Sequence, residues 1–233
     1  MTVSTIILAA GKGTRMKSPT PKILHKIAGK HLIAFSVDLA KSVESKETIV
    51  VVGKEIEQAT KTALSDTGIK FCLQKTQLGT GDAVKVALKN LTTRSKHTLI
   101  LYGDTPFIRK GTIKRMMSKV KNGFDLIFLA FQSATKSSYG KFKIGPKKTL
   151  MDIIERNEPG YGSFESLSNS GILLANSTII ANLIQTIKND NAKQEYYLTD
   201  IVKIAAERGY SSTYVECEEE ECIGVNSQLE LSV

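Results

Sequence analysis

The chain has 233 residues, 41% hydrophobic, 24% charged and 6% aromatic, a balance that excludes collagen-like, fibrous and disordered classes. One large α/β domain of this length buries roughly 70% of the surface it exposes when unfolded, so neither disulfides nor a structural metal are required for stability. The net charge of +9 points to anionic partners, but only six of the 32 basic residues are arginine and no aromatic-interleaved basic stripe occurs, so nucleic acid is not the expected partner.

Apolar runs alternate with amphipathic segments up to about residue 130, the pattern of repeated βαβ units and a mostly parallel sheet. The spacing predicts strands at Ser4 to Ala9, Thr48 to Val52, Lys70 to Leu73, Thr98 to Tyr102 and Leu126 to Phe131. Helices fit between them at His31 to Ser45, Glu55 to Leu64, Asp82 to Leu91 and Thr112 to Lys121; in the second, Ile56, Ala59, Ala63 and Leu64 form a core-facing stripe. Beyond Phe131, glycine, serine and lysine punctuate shorter pieces, Lys141 to Ile144, Leu150 to Ile154 and Gly171 to Ala175, read as a small β-rich lobe facing the main sheet. Helices at Ser177 to Ile187 and Thr199 to Arg208 and a strand at Thr213 to Glu216 return to the core. The expected fold is α/β: a Rossmann-like open, mostly parallel sheet flanked by helices, with a small β-rich lobe. It forms a single domain over 1–233, divided into 1–131, the lobe 132–176 and the returning segment 177–233.

The longest apolar runs, Ile6 to Ala10, Ile49 to Val52 and Leu126 to Phe131, are strand-sized and far short of the roughly 18 residues of a membrane span, so no membrane partner is expected. The opening MTVSTIILAAGKG has no basic n-region and too short an apolar core for a signal peptide. Three cysteines, Cys72, Cys217 and Cys222, favour a reducing compartment and a cytoplasmic location. Cys217 and Cys222 bracket four glutamates, read as a solvated acidic loop and not a zinc site, because His25, His31 and His97 lie far away in the sequence.

The strand TIILAA runs directly into Gly11 to Met16, GKGTRM, with Pro21 and Lys22 close behind. A glycine turn at the carboxyl end of a first strand lets backbone N–H groups approach phosphate. It is neither a Walker A loop nor a dinucleotide fingerprint, since Met16 stands where the third glycine belongs. By itself Gly-Lys-Gly is equally an ordinary strand-to-helix turn. The cations add information: Lys12 and Arg15 in the loop and Lys22 behind Pro21 suit a triphosphate whose pyrophosphate leaves. Asp104 ends the strand HTLILYGD, where a carboxylate meets a phosphate-bound cation or simply caps a turn. Gln74 reads as a base-contacting carboxamide or a strand-end polar residue, and Thr80 as a ligand contact or a helix N-cap.

LAAGKGTRM followed by PKILH at 21–25 resembles the sugar-phosphate nucleotidyltransferases, and more narrowly the N-terminal uridylyltransferase domain of the bacterial bifunctional N-acetylglucosamine-1-phosphate uridylyltransferases / glucosamine-1-phosphate acetyltransferases. The matches run through LQKTQLGTGDA at 73–83, LYGDTP at 101–106, SYGKF at 138–142, IIE at 153–155, SNSGIL at 168–173, NDNAKQEYYLTD at 189–200 and GVNSQLEL at 224–231. The resemblance implies a GT-A-like nucleotidyltransferase fold, with nucleotide binding in 1–131 and sugar binding in 132–176. It implies catalytic roles for Arg15 and Lys22, and nucleotide contacts from Leu8, Ala9, Ala10, Gly11, Lys12, Gly13, Gln74, Gly79, Thr80, Tyr102 and Gly103. Sugar-phosphate contacts fall to Gly140, Glu155, Asn169, Tyr197 and Thr199, and a Mg²⁺ ion to Asp104 and Asn226.

The reaction implied is transfer of UMP from UTP to N-acetylglucosamine 1-phosphate, giving UDP-N-acetylglucosamine and pyrophosphate. The nucleophile is already ionised at neutral pH, so no general base is needed, which agrees with the lack of a Ser/His/Asp or Cys/His constellation and makes the histidines structural or surface residues. Where the family commonly has a Lys-Asp pair after the glutamate, this chain reads Arg156, Asn157, Glu158, Pro159. A nucleotidyltransferase for another sugar or alcohol phosphate, or another nucleoside triphosphate, therefore stays open, as does a non-catalytic nucleotide-binding module. No hexapeptide repeats follow GVNSQLEL, so uridylyl transfer without acetyl transfer, and a monomer, are expected.

Overall fold

The computed structural model describes residues 1–133, 139–156, 158–161 and 167–225. Runs such as VSTIIL and LIFLAF have no solvent-seeking side chain on either face, so they become strands buried on both sides. In chain order the strands are β1 Val3–Leu8, β2 Lys26–Ile27, β3 Lys30–His31, β4 Thr48–Gly53, β5 Lys70–Gln74, β6 His97–Tyr102, β7 Leu126–Phe131, β8 Lys141–Ile144, β9 Leu150–Ile154, β10 Ser168–Asn176 and β11 Ser212–Cys217. The helices are α1 Leu32–Ser42, α2 Glu57–Ala63, α3 Thr80–Asn90, α4 Lys110–Lys121, α5 Ser177–Leu183, α6 Ile201–Glu207 and the single turn α7 Glu219–Cys222.

The main sheet runs β11-β7-β10-β6-β1-β4-β5. Every neighbouring pair is parallel except those made by β10, which is antiparallel to both β6 and β7. One face packs Ile6, Leu8, Ile49 and Ile100 against α3, α5 and α6; the other packs Ile7, Val50, Leu99 and Leu129 against α1 and α4. The expected α/β sheet between helical layers is thus the observed one. β1 lies between β4 and β6, the point where chain order reverses, and the strand ends there open a crevice.

Several expectations need correction. Gly171 to Ala175 does not belong to the small lobe: it is part of the nine-residue β10, with Leu173 opposite Ile100 on one side and Phe128 on the other. A short apolar strand carries no mark of which sheet it will join. Among the described residues the β8–β9 hairpin pairs with the sheet at Lys141 opposite Ser168. In α2 the buried position is Thr60 and not Ala59, which is exposed; the Thr60 hydroxyl is satisfied by donating to the Ile56 carbonyl at 2.7 Å. α5 stops at Leu183, and Ile184 and Ile187 are buried beyond it in a turn.

The segment from Cys217 to Cys222 is not a solvated loop. Glu221 is 3% exposed and its carboxylate caps α4, accepting from the Arg109 N–H at 3.1 Å and the Thr112 hydroxyl at 2.7 Å. Cys222 is buried beside it, its sulfur 3.1 Å from that of Cys217, both as free thiols.

Candidate active site

Two cavities open at the carboxyl ends of β1, β5 and β6. The first, about 940 Å³, is lined by Leu8, Ala9, Ala10, Gly11, Lys12, Gly13, Arg15, Lys22, Gln74, Gly79, Thr80, Tyr102 and Asp104. The second, about 650 Å³, is lined by Gly140, Glu155, Asn169, Tyr197 and Thr199 and again by Arg15, Thr80, Tyr102 and Asp104. Gly103 lines neither; its N–H donates to the Leu8 carbonyl at 2.9 Å and its Cα faces Ile23 and Ala9, a packing position beneath the crevice. Asn226 lies outside the described residues, while Val225 donates its N–H to the Asp104 carbonyl at 3.0 Å.

The glycine loop leaves β1 and tightens into a single 3-10 turn over Thr14–Met16, anchored by buried Met16. The Pro-Lys segment forms a second such turn, Lys22–Leu24, with Ile23 and Leu24 buried beneath it. Two histidines hold this segment: His25 Nε2 lies 3.1 Å from the Thr20 carbonyl and His31 Nδ1 2.6 Å from the Leu24 carbonyl. The result presents Lys22 to Asp104 in an ion pair at the cavity wall.

Gln74 is buried at the end of β5, and its amide nitrogen donates to the Asp82 carboxylate at 2.8 Å and the Gly79 carbonyl at 3.1 Å. Both partners can only accept, so the amide orientation is fixed. Gly79 has φ +108°, and a Cβ there would lie 2.6 Å from the Tyr196 carbonyl. This close approach stitches the wall of the first cavity to the segment Glu195–Thr199: Gly81 N–H donates to Tyr196 O at 2.7 Å, Tyr196 N–H to Leu78 O at 2.8 Å, and Leu198 N–H to the Thr80 hydroxyl at 3.1 Å. The Tyr102 ring lies between the cavities against Gly171, whose φ of +86° at the β10 bulge makes room for it. Burial, with Glu155 and Asp104 nearby, pushes the Tyr102 phenol up and keeps it protonated.

The second cavity has an acidic floor. Burial raises the Glu155 carboxyl, although the Thr199 hydroxyl donates to it at 2.9 Å. Burial and the carboxylates of Glu195, Glu158, Glu155 and Asp200 push the Tyr197 phenol up to about 12, so it remains a donor throughout the neutral range. Asn169 donates its N–H to the Gly140 carbonyl at 2.8 Å and turns its side-chain oxygen onto the Gly171 N–H at 3.0 Å.

Residues that sequence reasoning did not single out also line the cavities. Gln77 Nε2 donates to the Ala10 carbonyl, and Lys193 and Glu195 line both cavities. Gln77 stands three residues past Gln74 on the same motif, a signal that was present; Lys193 and Glu195 share a cavity with the glycine loop where the following Tyr196 is bonded to Leu78 and Gly81.

Behind the floor, burial and the carboxylates of Asp152, Glu155 and Glu158 push Asp200 up to about 6 from an ordinary 3.8. A carboxyl raised on folding costs stability when ionised, so the cost is full above pH 6 and fades as pH falls through 6 towards 3.8. Asp200→Asn is therefore expected to melt higher than the parent at pH 7.5, with the gain shrinking at pH 5 and vanishing near pH 4. Thermal melts across that range check it, and a gain independent of pH would contradict the assignment.

With this geometry in hand, the chain can be set beside known proteins. The family described as the MobA-like NTP transferase domain matches residues 5–167. The chain belongs to the MobA-like NTP transferase family. This NTP transferase is 38% identical over 234 residues to the Bifunctional protein GlmU of Ruegeria pomeroyi, with 100% of the chain and 52% of the relative covered. It is 36% identical to that of Paramagnetospirillum magneticum, covering 99% of the chain and 51% of the relative, and 35% identical to that of Caulobacter vibrioides, covering 98% and 50%. The chain spans about half the length of these curated relatives. A solved Bacillus anthracis structure described as a glucose-1-phosphate thymidylyltransferase superposes with a TM-score of 0.76 at 20% identity, over 99% of this NTP transferase and 92% of that chain, which establishes the shared fold. The chain is a nucleotidyltransferase enzyme, and no helix among its described residues is long and apolar enough to cross a membrane.

Proposed function

We propose that the chain transfers UMP from UTP to N-acetylglucosamine 1-phosphate. The observation that carries the reading is the junction of the two cavities, where Arg15 and Asp104 belong to the walls of both. A donor triphosphate in the first cavity and an acceptor phosphate in the second would meet there. An acceptor phosphate oxygen forms a bond to the α-phosphorus as the α–β anhydride bond breaks, and pyrophosphate leaves with the electron pair. Alignment and charge neutralisation by Arg15, Lys22 and the N–H groups of the glycine loop are what this step needs from the protein.

The base preference follows from Gln74. Its amide nitrogen is committed to Asp82 and Gly79, leaving an acceptor oxygen that suits the N3–H of uracil and opposes the bare N3 of cytosine. In the acceptor cavity the Thr199 hydroxyl, Glu155 and the protonated Tyr197 phenol offer hydrogen bonds to sugar hydroxyls.

A divalent cation fits this donor set. Asp104 is a hard oxygen donor already facing a cation, Lys22, at the cavity junction. Mg²⁺ takes most of its oxygens from phosphates and water, so few protein oxygens are required beside them. Asp104 and Asn226 would hold it, and when bound it supplies positive charge to the phosphates.

The test is pyrophosphate release by the purified chain. UTP with N-acetylglucosamine 1-phosphate and Mg²⁺ is expected to react at least about tenfold faster than CTP, because mismatched buried polar groups cost more than a lost methylene. EDTA is expected to abolish turnover, and Asp104→Asn to raise the Mg²⁺ requirement sharply. A preference for CTP would refute the role of Gln74. A preference for another sugar phosphate would select the alternative acceptor, with Arg156 at the cavity edge the first residue to exchange.

A further inference from the structure

Lys193 has no part in the reading above, yet it stands in the wall of both cavities. Among the described residues the only cations common to the two are Arg15 and Lys193. They come from unrelated segments, Arg15 from the loop after β1 and Lys193 from the turn before Leu198.

The turn is built to hold Lys193 in place. Asn191 Oδ1 accepts the N–H groups of Lys193 at 3.2 Å and Glu195 at 3.1 Å, while Asn191 Nδ2 donates to the Glu195 carbonyl. On the acceptor side Ala192 N–H donates to Glu158 Oε1 at 3.2 Å; on the donor side Tyr196 N–H is bonded to Leu78. The backbone on either side of Lys193 is thus fixed by hydrogen bonds before any ligand arrives, which lowers the ordering cost of using its ammonium.

Charge supplies the reason for a cation here. Among the described residues the first cavity has six cations against three carboxylates, whereas the second sets Asp104, Glu155 and Glu195 against Arg15, Arg156 and Lys193, toward an acceptor that is itself a phosphate dianion. Without Lys193 the carboxylates of the second cavity outnumber its cations, and its ammonium offsets their repulsion of the acceptor. The positive charge of Lys193 is already felt at Glu155, where it opposes the effect of burial.

We propose that Lys193 is a specificity-determining residue that binds the phosphate group of the acceptor, so that the second cavity selects a phosphorylated sugar over the free sugar. This rests on the proposed reaction for the identity of the acceptor.

The experiment is calorimetric titration of N-acetylglucosamine 1-phosphate into the parent, Lys193→Gln and Lys193→Arg. Each titration is run with and without saturating α,β-methylene UTP and Mg²⁺, so that binding is read without turnover. Lys193→Gln is expected to weaken sugar-phosphate binding about tenfold and to change binding of the UTP analogue less than threefold, while Lys193→Arg retains acceptor binding within threefold. Unchanged acceptor binding in Lys193→Gln, equal weakening of both ligands, or no acceptor binding by the parent would overturn the proposal. Pyrophosphate release separates the two readings. A parent that binds the sugar phosphate through Lys193 but releases no pyrophosphate refutes the proposed reaction alone, and a turning-over parent whose acceptor KM is unmoved by Lys193→Gln refutes the role of Lys193 alone.

Discussion

Lys22→Ala and Arg15→Ala are each expected to lower turnover at least about 100-fold, because one preorganised charge removed from a developing oxyanion costs about 3 kcal/mol. The structure says why the loss should be chemical and not structural. Lys22 opens a turn whose anchors are the buried side chains of Ile23 and Leu24 and whose hydrogen bonds are main-chain, from Leu24 N–H to Pro21 and from His25 N–H to Lys22. Alanine keeps all of these, and what it removes is the ion pair with Asp104 at the cavity wall. Arg15 stands in a turn held by buried Met16, which its truncation leaves in place. Each variant should therefore melt within a few degrees of the parent. Steady-state pyrophosphate release and a thermal melt on the same preparation check both halves, and near-parental turnover by a well-folded variant would remove that residue from the mechanism.

The second large effect is expected at Gly79, where the backbone has φ +108° and ψ 176°, a region that is essentially glycine's alone. A Cβ would stand 2.6 Å from the Tyr196 carbonyl oxygen and 2.9 Å from its nitrogen, both main-chain atoms of a segment that cannot move without breaking the Gly81 and Tyr196 hydrogen bonds. Strain of this kind costs about 1–3 kcal/mol before the clash is counted, so Gly79→Ala should melt roughly 2–12 °C lower from strain alone in a chain of this size, and lower still with the clash. Turnover should fall as well, because the same contact joins the walls of the two cavities. Gly111→Ala, inside α4 with nothing within 4 Å of the new methyl, is the matched control and should be neutral or slightly stabilising. A Gly79→Ala melt indistinguishable from that of Gly111→Ala would show that the Tyr196 contact is not needed.

The strands were legible because their cause is local. Thr48–Gly53 and Leu126–Phe131 are apolar runs of strand length, and β8 and β9 alternate between turn residues, so hydrophobicity alone locates them. The lining of the first cavity was legible for a related reason: Leu8, Gln74 and Asp104 stand at or just past the carboxyl ends of strands of the parallel part of the sheet.

Partnership between distant segments was decided only in three dimensions. The run GILLA reads the same in a lobe or a central sheet, and pairing with both β6 and β7 settles it. Four consecutive glutamates read as solvated, yet Glu221 is buried because the N-terminus of α4, more than a hundred residues earlier, offers it a main-chain N–H and a hydroxyl. In α2 the pattern favoured Ala59 over Thr60 because composition cannot show that a threonine hydroxyl will be satisfied by its own helix. Lys193 is the case with most bearing on function. Nothing in its local sequence marks it as a phosphate ligand, and it shares a cavity with the glycine loop where the backbone of Tyr196 comes within hydrogen-bonding distance of Leu78 and Gly81. Local sequence thus determined the elements and the residues at their ends, through side-chain hydrophobicity and backbone preference. Tertiary structure decided which ends share a cavity, since that depends on close packing between segments whose separation along the chain carries no information about their contact.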